Sequence, residues 1–150
     1  MPMKDRAAYI DFIERRYFGG VSADDLEGVR DCFADDAEVL IRHGDNPERR
    51  YSPSPGPGQE PLLSFFEHLC GNYDCWFGEF RHTIDVDEQR AASRFIVRLT
   101  PKPGGLYADH PTQQLLNSNF FEFADGRITF MMINYSNAAG PDTPTGYPRG

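Results

Sequence analysis

A chain of 150 residues, 39% of them hydrophobic and 25% charged, has enough material for one domain with a single core. Its formal net charge of −8 repels phosphate backbones and anionic lipid surfaces, so nucleic-acid and membrane partners are excluded from the expected functions. No apolar run approaches a membrane span, no apolar signal region is present, and Cys32, Cys70 and Cys75 lack paired spacing, which together predict reduced thiols and a cytoplasmic location.

Tyr9, Ile10, Phe12, Ile13 and Tyr17 recur at three-to-four spacing and predict a first helix from Met3 to about Phe18, stopped by Gly19-Gly20. Ser22 is the expected N-cap of a second helix, Ala23 to about Phe33. A strand then runs from Glu38 to His43. Residues 44–58 carry four prolines and read as a loop, either a lid or a plain surface connection. Leu62, Leu63, Phe66 and Leu69 mark a third helix from Gln59 to about Cys70, with Pro61 in its first turn.

Strands dominate the rest. Trp76 to Val86 puts Phe80, His82 and Ile84 on one face, and Ala91 to Thr100 puts Phe95, Val97 and Leu99 on one face. Thr112 to Ala124 and Arg127 to Ser136 are joined by an Asp125-Gly126 hairpin signal. Helices first and antiparallel strands after them give an α+β class. The expected domain is 1–137, followed by a Pro/Gly-rich tail, 138–150.

The run Asp25-Leu26-Glu27-Gly28, then Phe33-Ala34-Asp35-Asp36-Ala37, with Arg16-Tyr17 before it, resembles the entry to ketosteroid isomerase. Ser118-Asn119-Phe120-Phe121-Glu122-Phe123 before Asp125-Gly126 resembles that family's penultimate strand. On these residues the chain is similar to the nuclear transport factor 2-like and SnoaL-like superfamily, with scytalone dehydratase and polyketide cyclases among its members. The resemblance implies a cone-shaped roll in which three helices from the N-terminal half pack on a curved antiparallel sheet. It also implies a homodimer, joined through the outer sheet face around Arg94, Ile96 and Arg98.

The same resemblance places Tyr17 on the isomerase's oxyanion donor, Ile41 on its aspartate base and Asn119 on its second oxyanion donor. Isoleucine cannot move a proton, so the isomerase reaction itself is not supported. Tyr17 is therefore an oxyanion donor or a core residue, and Asn117 and Asn119 are site residues or a self-satisfied pair. His43, two residues past Ile41, and His82 are the expected acid–base groups, since histidine titrates near neutrality. Ile41, Phe95, Val97, Met131, Ile133 and Tyr135, with Asn117, are the expected pocket wall. No phosphate loop, nucleophile elbow or metal-ligand spacing is present, so no cofactor and no metal are expected. Two functions remain open. One is a cofactor-independent lyase or isomerase acting on a small hydrophobic, polyketide-like molecule. The other is a non-catalytic binding or assembly module.

Overall fold

The computed structural model describes residues 2–44 and 46–135. The expected tail, 138–150, lies outside the described residues. Helix α1 is one continuous rod in three parts: α-helical Arg6–Asp11, π-helical Phe12–Phe18 and α-helical Gly19–Ser22. Helix α2 is Leu26–Asp31 and α3 is Leu62–Asn72. The strands are β1 Phe33–His43, β2 Arg49–Ser52, β3 Glu60–Pro61, β4 Tyr73–Asp85, β5 Arg90–Pro101, β6 Gln113–Ala124 and β7 Arg127–Tyr135. They form one curved, unclosed sheet in the order β3-β2-β1-β7-β6-β5-β4. The α+β cone is the architecture observed, with helices on the concave face. Among the described residues, no helix is long and apolar enough to cross a membrane.

The sheet is mixed rather than wholly antiparallel. Strand β1 runs parallel to β7, with Val39 opposite Met131 and Ile41 opposite Ile133. Strands β4 to β7 form the antiparallel meander that their hairpin signals predict. The segment 44–58 is not loop throughout. Arg49–Ser52 pairs antiparallel with β1, Tyr51 facing Val39, and prolines lie only outside that strand.

Helix α1 does not stop at Gly19-Gly20. Both glycines stay helical, and Gly20 is where α2 comes closest: a Cβ there would lie 3.0 Å from Val29 Cγ2. The missing side chain buys contact between helices instead of ending one. Nor does Ser22 cap α2. Ser22 is the last residue of α1, and Asp25 is the cap, its carboxylate accepting from the Gly28 N–H at 3.0 Å. Helix α2 accordingly ends at Asp31, and Phe33 opens β1 opposite Ile128.

A bulge in β4 lies between Gly78 and Arg81, where Glu79 takes φ 55°. It shifts the inward parity of the strand from Tyr73, Cys75 and Phe77 to Phe80, His82 and Ile84. Gly78 leaves room for the Trp76 ring, which lies over it on the outer face within 2.3 Å of where a Cβ would stand.

One core fills the concave face, including Tyr9, Phe12, Ile13, Val29, Phe33, Phe66, Phe121 and Ile128. Phe33 is fully buried, with its ring 5.8 Å from that of Tyr17 and 6.2 Å from that of Phe66. Phe33→Ala removes the ring that joins α1, α3 and the sheet. It should lower the unfolding free energy by about 3–5 kcal/mol in urea titrations. A loss under about 1 kcal/mol would contradict this packing.

Candidate functional site

The concave face, α1 and α3 enclose a cavity of about 540 Å³, a volume typical of small-molecule sites. Its deep wall is buried: Tyr17 and Phe18 from α1, Phe66 from α3, Phe95 from β5, and Asn117 and Asn119 from β6. Its mouth is polar, with His43 from β1, Arg49 from β2, Glu60 from β3, His68 from α3, and Tyr107 and Tyr135.

The π-helical part of α1 sets the deep wall. Its wider turn brings two adjacent aromatics, Tyr17 and Phe18, onto the inward side together, at 2% and 3% exposure. Edge-on contacts surround Tyr17: Phe18 at 4.6 Å, Phe33 at 5.8 Å, Phe121 at 6.1 Å and Phe66 at 6.2 Å. Burial pushes its phenol far above the usual tyrosine value, and the Cys32 and Cys70 thiols push it further. Tyr17 is therefore a neutral hydrogen-bond donor and not a base. The thiols are inert for the same reason. Burial raises Cys32 and Cys70 to about 11 and Cys75 to about 12.

At the mouth, the His43 ring stacks on Tyr135 with centroids 4.2 Å apart. Asn46 Nδ2 donates to His43 Nδ1 over 3.3 Å. With Nδ1 accepting, the neutral ring carries its proton on Nε2. The Tyr135 hydroxyl accepts from the Arg49 guanidinium at 3.0 Å, which holds the ring under His43. Ile133, Phe95 and Val97 complete the wall beside them.

His82 does not reach the cavity. Alternation puts it on the concave face, but α1 covers it there. His82 Nε2 lies 2.7 Å from Glu14 Oε2 and its Nδ1 lies 2.7 Å from Ser93 Oγ, while its side chain is only 4% exposed. Both ring nitrogens are occupied in pinning α1 to β4 and β5. Ile41 and Met131 also face inward but sit within the core, at 1% and 0% exposure, and are absent from the cavity wall. Strand parity reports a face and not the depth of what covers it.

Asn117 and Asn119 both belong to the wall, and the side-chain oxygen of each is buried without a partner. They do not bond each other. Asn119 Nδ2 donates to the Met131 thioether at 3.9 Å, which engages one of its two N–H groups.

Two mouth residues carry no recognisable signal in the sequence. His68 reads as a surface residue of α3, and Tyr107 lies in the long connection 102–112. In the fold, His68 Nε2 and the Tyr107 hydroxyl are 3.0 Å apart, and Tyr107 stacks on Tyr73 with centroids 5.3 Å apart. Burial, with Tyr107 adding to it, raises the Tyr73 phenol above its usual value. Asn72 holds this connection by accepting from the Leu106 N–H at 2.9 Å. Among the described residues, no group of three His, Cys, Asp or Glu side chains is placed to hold a metal ion.

The family model of the SnoaL-like domain matches residues 15–131. The fold is shared with a Xanthomonas campestris pv. campestris protein provisionally named a polyketide cyclase. That protein is 18% identical, with a TM-score of 0.68, and the match covers 88% of this chain and 93% of that one. A Silicibacter protein with the same provisional name is 26% identical, with 83% and 86% covered and a TM-score of 0.62. A Mycobacterium tuberculosis LEH-like epoxide hydrolase is 15% identical, with 86% and 83% covered and a TM-score of 0.62. A comparison with curated proteins gives no match.

His82→Ala leaves the buried Ser93 hydroxyl and the Glu14 carboxylate without their shared partner. It should lower stability by about 1–3 kcal/mol in chemical denaturation. Glu14→Gln should cost less, because Glu14 is 39% exposed and water replaces part of the contact. Equal stability of His82→Ala and wild type would mean that the Glu14–His82–Ser93 chain holds nothing.

Proposed function

The chain belongs to the SnoaL-like domain family, and from that premise we propose that it is a cofactor-independent lyase or isomerase. It takes a small, largely apolar cyclic molecule of polyketide type into the cone and moves a proton by general acid–base catalysis. The observation that carries this reading is the pairing of a buried, largely aromatic wall with a histidine at its rim. His43 lines the cavity beside solvent, whereas Tyr17 lines it in the depth.

The roles follow from that gradient. A ring bound among Phe18, Phe66 and Phe95 loses its water. A carbonyl or hydroxyl directed at Tyr17 meets a donor that stays protonated. Charge developing on that oxygen in an enolate-like transition state is stabilised most where the surroundings are least polarisable. His43 gives or takes the proton at the other end and exchanges it with solvent. The His68–Tyr107 pair offers a second proton-transfer group on the opposite helix, at hydrogen-bond distance within itself. Dehydration, isomerisation and aldol-type ring closure all use this set. The provisional names of the two cyclase neighbours agree with it.

The alternative is a binding or assembly module whose cone is filled by its own side chains. The open cavity of about 540 Å³ favours the catalytic reading.

We also propose that the protein forms a homodimer through the convex face around Arg94, Ile96 and Arg98, extended onto β6. Trp76, Leu116 and Phe120 are exposed on that side at 42%, 51% and 47%. The Arg98 guanidinium lies 4.4 Å from the Trp76 ring centre, which presents a flat apolar surface with a charged edge.

Once a turned-over substrate is found by screening, His43→Ala should reduce turnover about 10²–10⁴-fold, and Tyr17→Phe about 10²–10³-fold. Circular dichroism should show both variants folded. Wild-type turnover in both would remove the acid–base reading and leave the binding module. For the assembly, light scattering at micromolar concentration should give twice the chain mass, and Phe120→Asp should halve it. A wild-type monomer would refute the dimer.

A further inference from the structure

Arg49 and Tyr51, alternate residues of β2, both line the cavity, and Arg49 lies opposite Ile41 on β1. Alternation sends Arg50 to the other face, where it pairs with Glu38. Arg42 at the end of β1 pairs with Glu48. Among the described residues, no carboxylate lies within ion-pair distance of the Arg49 guanidinium. An exposed guanidinium is solvated and needs no counterion, so what marks Arg49 is the set of groups beside it.

Those groups present protons. The Tyr135 hydroxyl accepts from Arg49 Nη2 at 3.0 Å, so its own proton is left to donate. The His43 ring stacks on Tyr135 with centroids 4.2 Å apart, and its Nδ1 accepts from Asn46, which leaves an N–H on Nε2. A guanidinium edge, a phenol O–H and an imidazole N–H therefore meet at one side of the mouth. All three residues line the cavity, and none of the three is buried.

The carboxylate of the wall, Glu60, stands on the other side. In the strand order β3-β2-β1-β7, Glu60 on β3 flanks Arg49 from one direction, and His43 and Tyr135 on β1 and β7 flank it from the opposite one. Glu60 lies across the ladder from Tyr51. Burial raises the Tyr51 phenol, Arg49 lowers it and Glu60 raises it, so both charges act on that hydroxyl. Glu60 is spent on the Tyr51 side, and the donors on the Tyr135 side face the opening.

We propose that the ligand of this cone is an amphipathic acid, a ring body carrying a carboxylate that Arg49 and Tyr135 receive at the mouth beside His43. This rests on the reading of the cone as a small-molecule site and adds the ligand's charge to it. The rings of Phe18, Phe77 and Phe95 hold the apolar body. The two oxygens of a carboxylate take a guanidinium N–H and the phenol proton together, in charge-assisted hydrogen bonds. A neutral ester keeps the acceptors and loses the charge. The net charge of −8 opposes an anion at long range, so the acid is held by contact and not by steering.

The test uses simple probes on the full-length protein at neutral pH. Naphthoic acid, its methyl ester and naphthyl phosphate are titrated by calorimetry. The acid should bind about tenfold more tightly than the ester. Arg49→Gln should bring the acid down to the ester's affinity and leave the ester's unchanged, and Tyr135→Phe should remove part of the preference. Should Arg49→Gln not fold, Tyr135→Phe carries the test, and an undiminished preference there overturns the inference. Equal binding of acid and ester by the wild type overturns it too and leaves the cone a ligand site. So does a preference for the acid that survives Arg49→Gln, since another cation then holds the carboxylate. Tighter binding of the phosphate than of the acid overturns the carboxylate as the ligand's class. If none of the three probes binds, the ligand-site reading falls and this inference with it.

Discussion

Everything at the site depends on how one helix lies in a curved sheet. Helix α1 crosses the concave face and is held at three places. At its start, Tyr9 and Phe12 meet the Phe123 ring edge-on at 5.2 and 5.5 Å. At mid-length, Glu14 engages His82 below it. Toward its end, Phe18 packs against Phe77, Phe80 and Phe95 at 4.5–5.3 Å. Each aromatic pair adds about 0.5–1.5 kcal/mol to its burial. The helix cannot shift along the sheet without losing contacts at both ends. The π-turn sits between these anchors, where its poorer hydrogen-bond geometry is offset by the inward placement of adjacent aromatics. The cavity is the space left beyond Phe18, so its depth is set by the helix and not by the sheet.

This arrangement sorts polarity by depth. Charged and titratable groups, Arg49, Glu60, His43 and His68, stand at the mouth, where water screens them and exchanges protons with them. The deep wall holds neutral polar groups among rings, the Tyr17 phenol and the amides of Asn117 and Asn119. A neutral group costs less to bury than an ion, and it keeps one hydrogen-bonding character at any working pH. In the isomerase that the sequence resembles, the base is an aspartate at the position of Ile41. Here that position is sealed in the core, and the two histidines that line the cavity, His43 and His68, lie at its rim.

Local signals carried much of the fold into the sequence. The apolar stripes of α1 and α3 mark their faces, and Asp125-Gly126 marks the last hairpin. Features that depend on distant partners were not legible. The β1–β7 pairing joins segments distant in the chain, such as Val39 and Met131, and nothing local tells their relative direction. The bulge at Gly78 to Arg81 and the π-turn at Phe12–Phe18 each add a residue without changing the composition around it. Gly19-Gly20 carries a stop signal that close packing on Val29 overrides. Strand β2 looked like loop because prolines flank it.

The site was legible by face and illegible by cover. Tyr17, His43, Asn117 and Asn119 sit on the cavity wall because alternation and helical spacing both locate a face correctly. His82 shares that face with Phe80 and Ile84, yet α1 passes over it and takes both of its nitrogens. The sequence around His82 differs little from that around His43, since each is a histidine that follows an arginine on a strand. What separates them is which part of the sheet the helix leaves uncovered. His43 lies at the end of β1, beyond the reach of α1, and His68 projects from the facing helix toward the same opening. A histidine on such a fold is thus available for proton transfer only where the helix layer ends. That boundary is set by the length of α1 and its glycine-mediated contact with α2, far in sequence from either histidine.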